Sequence, residues 1–437
     1  MGMLDADDTL SGNPARTGTA TDHGGDTTGR LARIGEQARW HLMEEIIPFW
    51  FPQAVDRGRG GYYTCYDNRG RFSSDRKYTW SQGRFVSVCA GLAEAGRAGL
   101  LQVDADQLLT DARQGAEFVR DHALREDDTT HYVLDGDGVP IDTGERSFYA
   151  DCFAAIGFAG LARVARDVDW LELARRVTDT AWRTAGAREV PTAPYQLPAD
   201  IKAFGVHMIL LNLELDIARA RTALGLPDDP EHLQRAVAGV MSMARASGTF
   251  TEVRGEYLAD DLLLTTHQTP GHALEGLWML AGAGTALGAP GLDQLADRAV
   301  ALCELGHDRE HGGLFRYVHH DGGPPRGRLT GLPYENLVLR TWDTKLWWVH
   351  SEASWTLTLL AEHTRRDDLA RWRDEIWDYT RTTFPARGEG EEWIQVRDRQ
   401  GAPLDTVVAL PLKDPYHVTR NLLQLVTLAA PRTAATP

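Results

Sequence analysis

Two histidines stand at the same offset in two separate helix starts, and they are the residues best equipped for chemistry. The stretch Thr269-Pro270-Gly271-His272-Ala273-Leu274-Glu275 opens a helix. Thr269 is an N-cap, and Pro270 fits the first helical position, where its missing N–H is not needed. Leu274, Leu277, Trp278 and Leu280 supply an apolar stripe at helical spacing. His272 is then the third helical residue, and Glu275 follows on the same face. The positive end of the helix dipole lowers the histidine's pKa. A facing carboxylate raises it again and fixes the tautomer. An imidazole balanced in this way suits a general base near neutral pH. Asp414-Pro415-Tyr416-His417 repeats the arrangement, with Asp414 as cap and Val418, Asn421, Leu422, Leu425 and Val426 continuing the helix. The competing reading is a pair of histidines that close helix ends and do no chemistry.

From Leu31 onward the chain alternates apolar-striped helices with Gly-rich connections. Periodicity predicts twelve helices, at 31–48, 80–99, 103–122, 147–165, 170–185, 202–224, 230–246, 270–287, 292–305, 343–363, 369–384 and 415–429. The links 99–102 and 166–169 are short enough for αα-hairpins, so the expected class is all-α, built from six helical hairpins. Longer links follow the odd-numbered helices and read as β-hairpins: 60–70 with a turn at Asn68-Arg69-Gly70, 131–141 with a turn at 135–138, and the segments 312–317 and 391–404. A Gly-Gly-aromatic start recurs at Gly60 and Gly312, as in a toroid of repeated units. The conspicuous polar residues Arg84, His207, His272, Glu275, Lys345, Glu352 and His417 all fall on even-numbered helices, mostly near their N-termini. In a ring with those helices inside, they line one mouth beneath the β-hairpins.

The bulk properties set outer bounds. A chain of 437 residues, 43% hydrophobic and 25% charged, has material for a large core. Its 46 basic and 62 acidic residues give a net charge of −16, which argues against nucleic acid and anionic membrane as partners. No run reads as a membrane span or a signal peptide, and a cytoplasmic location is expected. Cys65, Cys89, Cys152 and Cys303 have neither zinc-site nor disulfide spacing. Residues 1–30, rich in Gly, Asp and Thr, and 431–437 read as flexible tails around one domain at 31–430.

The motifs together resemble those of the N-acylglucosamine 2-epimerase family, which includes cellobiose 2-epimerases and mannose isomerases. The resemblance runs from Trp40 to Leu425. It rests on Pro48-Phe49-Trp50, Gly60-Gly61-Tyr62-Tyr63, 75–84 ending in Ser81-Gln82-Gly83-Arg84, 207–213, Pro270-Gly271-His272-Ala273-Leu274-Glu275, His311-Gly312-Gly313-Leu314-Phe315, 345–353 and Tyr416-His417-Val418-Thr419-Arg420. It implies an (α/α)6 barrel, with His272 and His417 as acid/base pair, Arg84 contacting the sugar near the reacting carbons, Glu275 supporting its histidine, and His207 assisting ring opening. The Lys345-Leu346-Trp347-Trp348 and His350-Ser351-Glu352-Ala353 run is most similar to the N-acylglucosamine branch. The implied reaction is epimerisation at C2 of an open-chain aldose, with the proton removed from one face and returned to the other. Return to C1 would instead give a ketose, and the same residues serve either outcome. Trp80, Tyr149 and one of Trp347 and Trp348 are candidates to stack on the sugar; Glu352 would contact a hydroxyl or pair with Lys345 or an arginine. No cofactor or metal is called for. The expected partner is a small sugar, and a homodimer is compatible with the resemblance. Glycoside hydrolysis would need two carboxylates flanking a bond, and a non-catalytic binder would not need both histidines.

Overall fold

Two kinds of helix build the molecule. In one kind nearly every position is apolar or small: Phe148–Ala165 buries fifteen of its eighteen residues. In the other a single stripe is buried, as in Asp367–Thr383, where Leu369, Arg373, Ile376, Trp377 and Thr380 face inward. A helix apolar all round must be covered on every side, and a striped one can cover it. The two kinds alternate along the chain.

The computed structural model describes residues 27–386, 391–406 and 411–431. Most of the two expected tails lies outside them. Among the described residues the long helices are α1 (Thr27–His41), α2 (Thr79–Arg97), α3 (Ala105–Phe118), α4 (Phe148–Ala165), α5 (Val168–Ala185), α6 (Phe204–Ala223), α7 (Pro230–Ser242), α8 (Pro270–Ala283), α9 (Leu292–Gly306), α10 (Trp347–Thr364), α11 (Asp367–Thr383) and α12 (Tyr416–Ala429). These are the twelve expected helices. The first starts at Thr27 rather than Leu31, and a short helix at Pro333–Thr341 was not foreseen. The even-numbered helices touch in the order α2, α4, α6, α8, α10, α12 and back to α2, a closed inner ring. Each odd-numbered helix packs outside: α3 on α2, α5 on α4, α7 on α6, α9 on α8 and α11 on α10. Helix α1 packs on α12, so the two ends of the chain make the sixth hairpin. The architecture is an (α/α)6 barrel.

Close approach within the ring depends on glycine. A Cβ at Gly83 would sit 2.2 Å from the Phe153 carbonyl oxygen, and one at Gly271 would meet the Trp348 ring at 2.8 Å. Helix α4 is apolar enough in length and composition to cross a bilayer, yet 78% of it is buried within the barrel.

One mouth of the barrel is laced by two- and three-residue strands. The 60–70 segment does make a local hairpin, Cys65–Tyr66 against Phe72–Ser74. So do 131–141, where Leu134 bridges Pro140, and 391–404, where Arg397 bridges Pro403; the remaining strand pairings bridge separate loops. The residues just before an inner helix pair with the following long loop: Lys77–Tyr78 with Val133–Leu134, Ile201–Ala203 with Val253–Gly255, His267–Gln268 with Val318–His319, and Lys345–Leu346 with Val396–Arg397. This lacing fixes where four of the six inner helices begin and what stands beside their first turns.

The Gly-Gly repeat has a structural basis. Lys77 Nζ donates to Asp56 Oδ2 (2.9 Å) and the Gly60 carbonyl (2.6 Å). Lys345 Nζ donates to Asp308 Oδ2 (3.1 Å) and the Gly312 carbonyl (2.9 Å). Both lysines are wholly buried. Lys345 was expected at the mouth; instead it precedes α10 and pins a loop. Burial, opposed by Asp308, holds its pKa down at about 8. Removing one partner of such a buried pair costs about 3–5 kcal/mol. Lys345→Met is therefore expected to lower the melting temperature markedly, while KM of the folded fraction stays within error of wild type.

Candidate active site

A cavity of about 290 Å³ opens at the laced mouth, lined by residues from inner-helix starts and the loops above them. A wider cleft of about 620 Å³ lies near Arg69, Tyr379 and Gln400, and contains neither His272 nor His417.

His272, in the first turn of α8, leaves 33% of its side chain open to the cavity; His417, in the first turn of α12, leaves 11%. Trp348 packs against both, its ring centroid 5.2 Å from that of His272 and 5.7 Å from that of His417. Each imidazole is backed by a carboxylate. His272 Nδ1 donates to Glu252 Oε2 at 3.1 Å. His417 Nδ1 donates to Glu352 Oε1 at 2.7 Å. A proton held on Nδ1 leaves Nε2 as the nitrogen available for proton transfer in each ring.

Glu252 is the residue that the sequence hid. It stands in the loop before Val253–Gly255, whose pairing with Ile201–Ala203 sets its position, and the Phe204 N–H donates to its carbonyl at 2.8 Å. Its Oε1 also accepts the Thr269 N–H at 3.2 Å. Glu252 thus caps α8 in place of the Thr269 side chain, which makes no capping bond. Glu275, the expected support for His272, turns instead to Arg420, which donates to it at 2.9 Å. The i+3 position points along the ring toward α12 and its nearer histidine is His417, at 3.8 Å. Burial pulls the pKa of His272 down, but the charge and hydrogen bond of Glu252, joined by the charge of Glu275, outweigh it, and the net shift is upward. Glu252→Gln removes that support. The limb of the pH–rate profile governed by His272 is expected to move to lower pH, with kcat/KM down about 10- to 100-fold.

Around His417 the network is deeper. Glu352 is 0% exposed and lies behind the histidine, so it is not the hydroxyl contact that was one expectation; it pairs with an arginine, Arg420, and not with Lys345. It also accepts from Trp278 Nε1 (2.9 Å) and Asn421 Nδ2 (2.8 Å). Burial alone would raise its pKa; Arg420 and His417 reverse that and hold it at about 2. Glu275, Glu352 and His417 have ligand atoms close enough together to hold a metal ion, but the Arg420 guanidinium already supplies a cation to both carboxylates.

Arg84 reaches the cavity from α2. Its Nη1 donates to Asp414, and its guanidinium lies over the rings of Phe153 (4.0 Å), Trp80 (4.7 Å) and Tyr416 (5.1 Å). Its Nε is buried without a partner among the described residues. Asp414 does cap α12, accepting the Tyr416 N–H at 2.8 Å. Trp80 and Tyr149 line the same wall, and Trp347 and Trp348 both line the cavity where only one was expected. His207 is not among the residues that line the cavity. The lumen face of α6 is Gly205, Met208, Ile209 and Asn212. His207 lies off that face against α7, where a Cβ on Gly239 would meet its Nδ1 at 2.8 Å.

Two carboxylate-backed histidines and an aromatic-stacked arginine are gathered at one mouth of an (α/α)6 barrel. The chain belongs to the N-acylglucosamine 2-epimerase family, whose model matches residues 61–420. It is 28% identical to the Bos taurus N-acylglucosamine 2-epimerase, with 87% of each chain covered. It is 22% identical to a cellobiose 2-epimerase from Ruminococcus albus, covering 90% of this chain and 98% of the relative. In fold it is similar to the cellobiose 2-epimerase of Bacillus thermoamylovorans, with a TM-score of 0.72 at 19% identity, covering 91% of this chain and 99% of that one.

Proposed function

We propose that this chain interconverts N-acyl-D-glucosamine and N-acyl-D-mannosamine by moving the C2 proton of the open-chain sugar. Its wider class, an isomerase acting on carbohydrate as a 2-epimerase, is that of its family. The observation that carries the reading is the pair of cavity histidines, each with Nδ1 held by a carboxylate and both packed against Trp348.

Once the ring has opened, the C1 aldehyde acidifies the C2–H. One imidazole Nε2 removes that proton, and the electron pair delocalises into an enediolate, or its amide-substituted analogue, at O1. The other imidazole, protonated, returns a proton to the opposite face of C2, which inverts the centre. Arg84, in the cavity wall, stabilises the developing oxyanion with a fixed charge. Glu252 and Glu352 favour the imidazolium that each histidine becomes in turn. The cavity carboxylates are occupied in holding these groups, which leaves no free pair to flank a glycosidic bond. All four cysteines are buried and unpaired, which supports a reducing compartment as the place of action.

Proton NMR in D2O with N-acetylmannosamine, mannose and cellobiose in parallel tests the reading. Deuteration at C2 with appearance of N-acetylglucosamine is expected. A ketose from mannose, with no turnover of the amido sugar, would overturn it.

A further inference from the structure

Three arginines line the cavity, and two of them are neutralised by carboxylates: Arg84 by Asp414, and Arg420 by Glu275 and Glu352. Arg316 is different. It is only 6% exposed, yet among the described residues no carboxylate pairs with it and no hydrogen bond satisfies its guanidinium. What holds it is the face of Tyr317, 5.0 Å from the guanidinium carbon. None of its nitrogens is sealed off from the cavity, so their N–H groups are open to an acceptor on a bound ligand. Its charge is felt at His272, Tyr195 and Tyr334, so it lies on the His272 side of the cavity. The wall around it is aromatic and apolar, with Tyr195, Tyr317, Tyr334 and Leu337. A planar acceptor with a short apolar tail, next to the carbon that exchanges its proton, matches that environment.

We propose that Arg316 is the specificity-determining residue for the C2 substituent, donating its guanidinium N–H groups to the acyl carbonyl while Tyr334 and Leu337 receive the acyl methyl. This rests on the amido-sugar reading above. The carbonyl is the one strong acceptor that an N-acylhexosamine carries and a plain hexose lacks at C2. Arg84, across the cavity, remains the oxyanion partner. Arg316 therefore affects binding of the ground state and transition state alike, and its loss appears in KM more than in kcat.

Arg316→Ala and Arg316→Lys test this, with thermal unfolding of each variant to confirm the fold. For Arg316→Ala, KM for N-acetylmannosamine is expected to rise about 10- to 100-fold with kcat within a few-fold of wild type, as for a lost hydrogen bond to a charged group. Arg316→Lys, which keeps the charge but loses the planar fork, is expected to fall between the two. Mannose added as a competing ligand should inhibit wild type and variant equally. An unchanged KM in Arg316→Ala, or equal weakening of N-acetylmannosamine and mannose, overturns the role of Arg316 while leaving the amido-sugar reading in place. A wild-type protein that exchanges mannose or cellobiose but not N-acetylmannosamine overturns that reading itself.

Discussion

His417→Asn and His272→Asn are each expected to lower epimerisation about 10³-fold, within the range that positioned acid–base groups supply. The loss has a signature that a structural defect would not produce. If each histidine serves one face of C2, the remaining histidine still removes the proton of the epimer it faces. Each variant should then wash deuterium from D2O into C2 of one epimer without inverting it, and the two variants should choose opposite epimers. Asparagine suits the test because it fills much of the imidazole volume and can keep a hydrogen bond to Glu352 or Glu252. NMR of both pure epimers, with each variant, reads the outcome. Exchange of both epimers by a single variant would assign both proton transfers to one histidine.

Glu352→Ala carries the second largest effect. The carboxylate is fully buried and binds His417, Arg420, Asn421 and Trp278 at once. Its removal leaves the Arg420 charge with Glu275 alone and strips His417 of the acceptor that fixes its tautomer. Breaking a buried ion pair in this way costs about 3–5 kcal/mol, a large part of the stability of a typical domain. Chemical denaturation should show the loss, and any folded fraction should have impaired kcat. The isosteric Glu352→Gln should recover part of the stability but little of the activity, since an amide does not stabilise the imidazolium as a carboxylate does. The pH dependence follows from the depressed pKa. A carboxylate whose folded pKa lies below its unfolded value contributes its full stability above the ordinary 4.5, and loses it as pH falls toward about 2. Wild type should therefore lose stability over that window, and Glu352→Gln should lose less of it.

The barrel was legible because its two helix types are written in the sequence. Inner helices such as Phe148–Ala165 are apolar almost throughout, and outer ones such as Asp367–Thr383 carry one stripe. Arg84, His272 and His417 were legible for a related reason: they lie near the starts of inner helices, and the lacing gathers those starts at one mouth. Glu252 and Arg316 were not, because each comes from a loop between helices. Strand pairing places Glu252 beside α8, with Val253–Gly255 laid against Ile201–Ala203, and a pairing of so few residues leaves no periodic trace. The contacts of Glu275 and His207 were not legible because they depend on rotation about a helix axis. Local spacing says which residues share a face, but the neighbouring helix decides which way that face points. Glu275 faces Arg420 on α12, and His207 faces α7.

In the proposed reaction a proton leaves C2 to one histidine and a different proton arrives from the other. Early in a reaction of protiated N-acetylmannosamine in D2O, the N-acetylglucosamine formed should carry deuterium at C2, while the remaining N-acetylmannosamine is still protiated. Product that retains its original C2 proton would contradict the account, because a single group would then have carried that proton across the sugar.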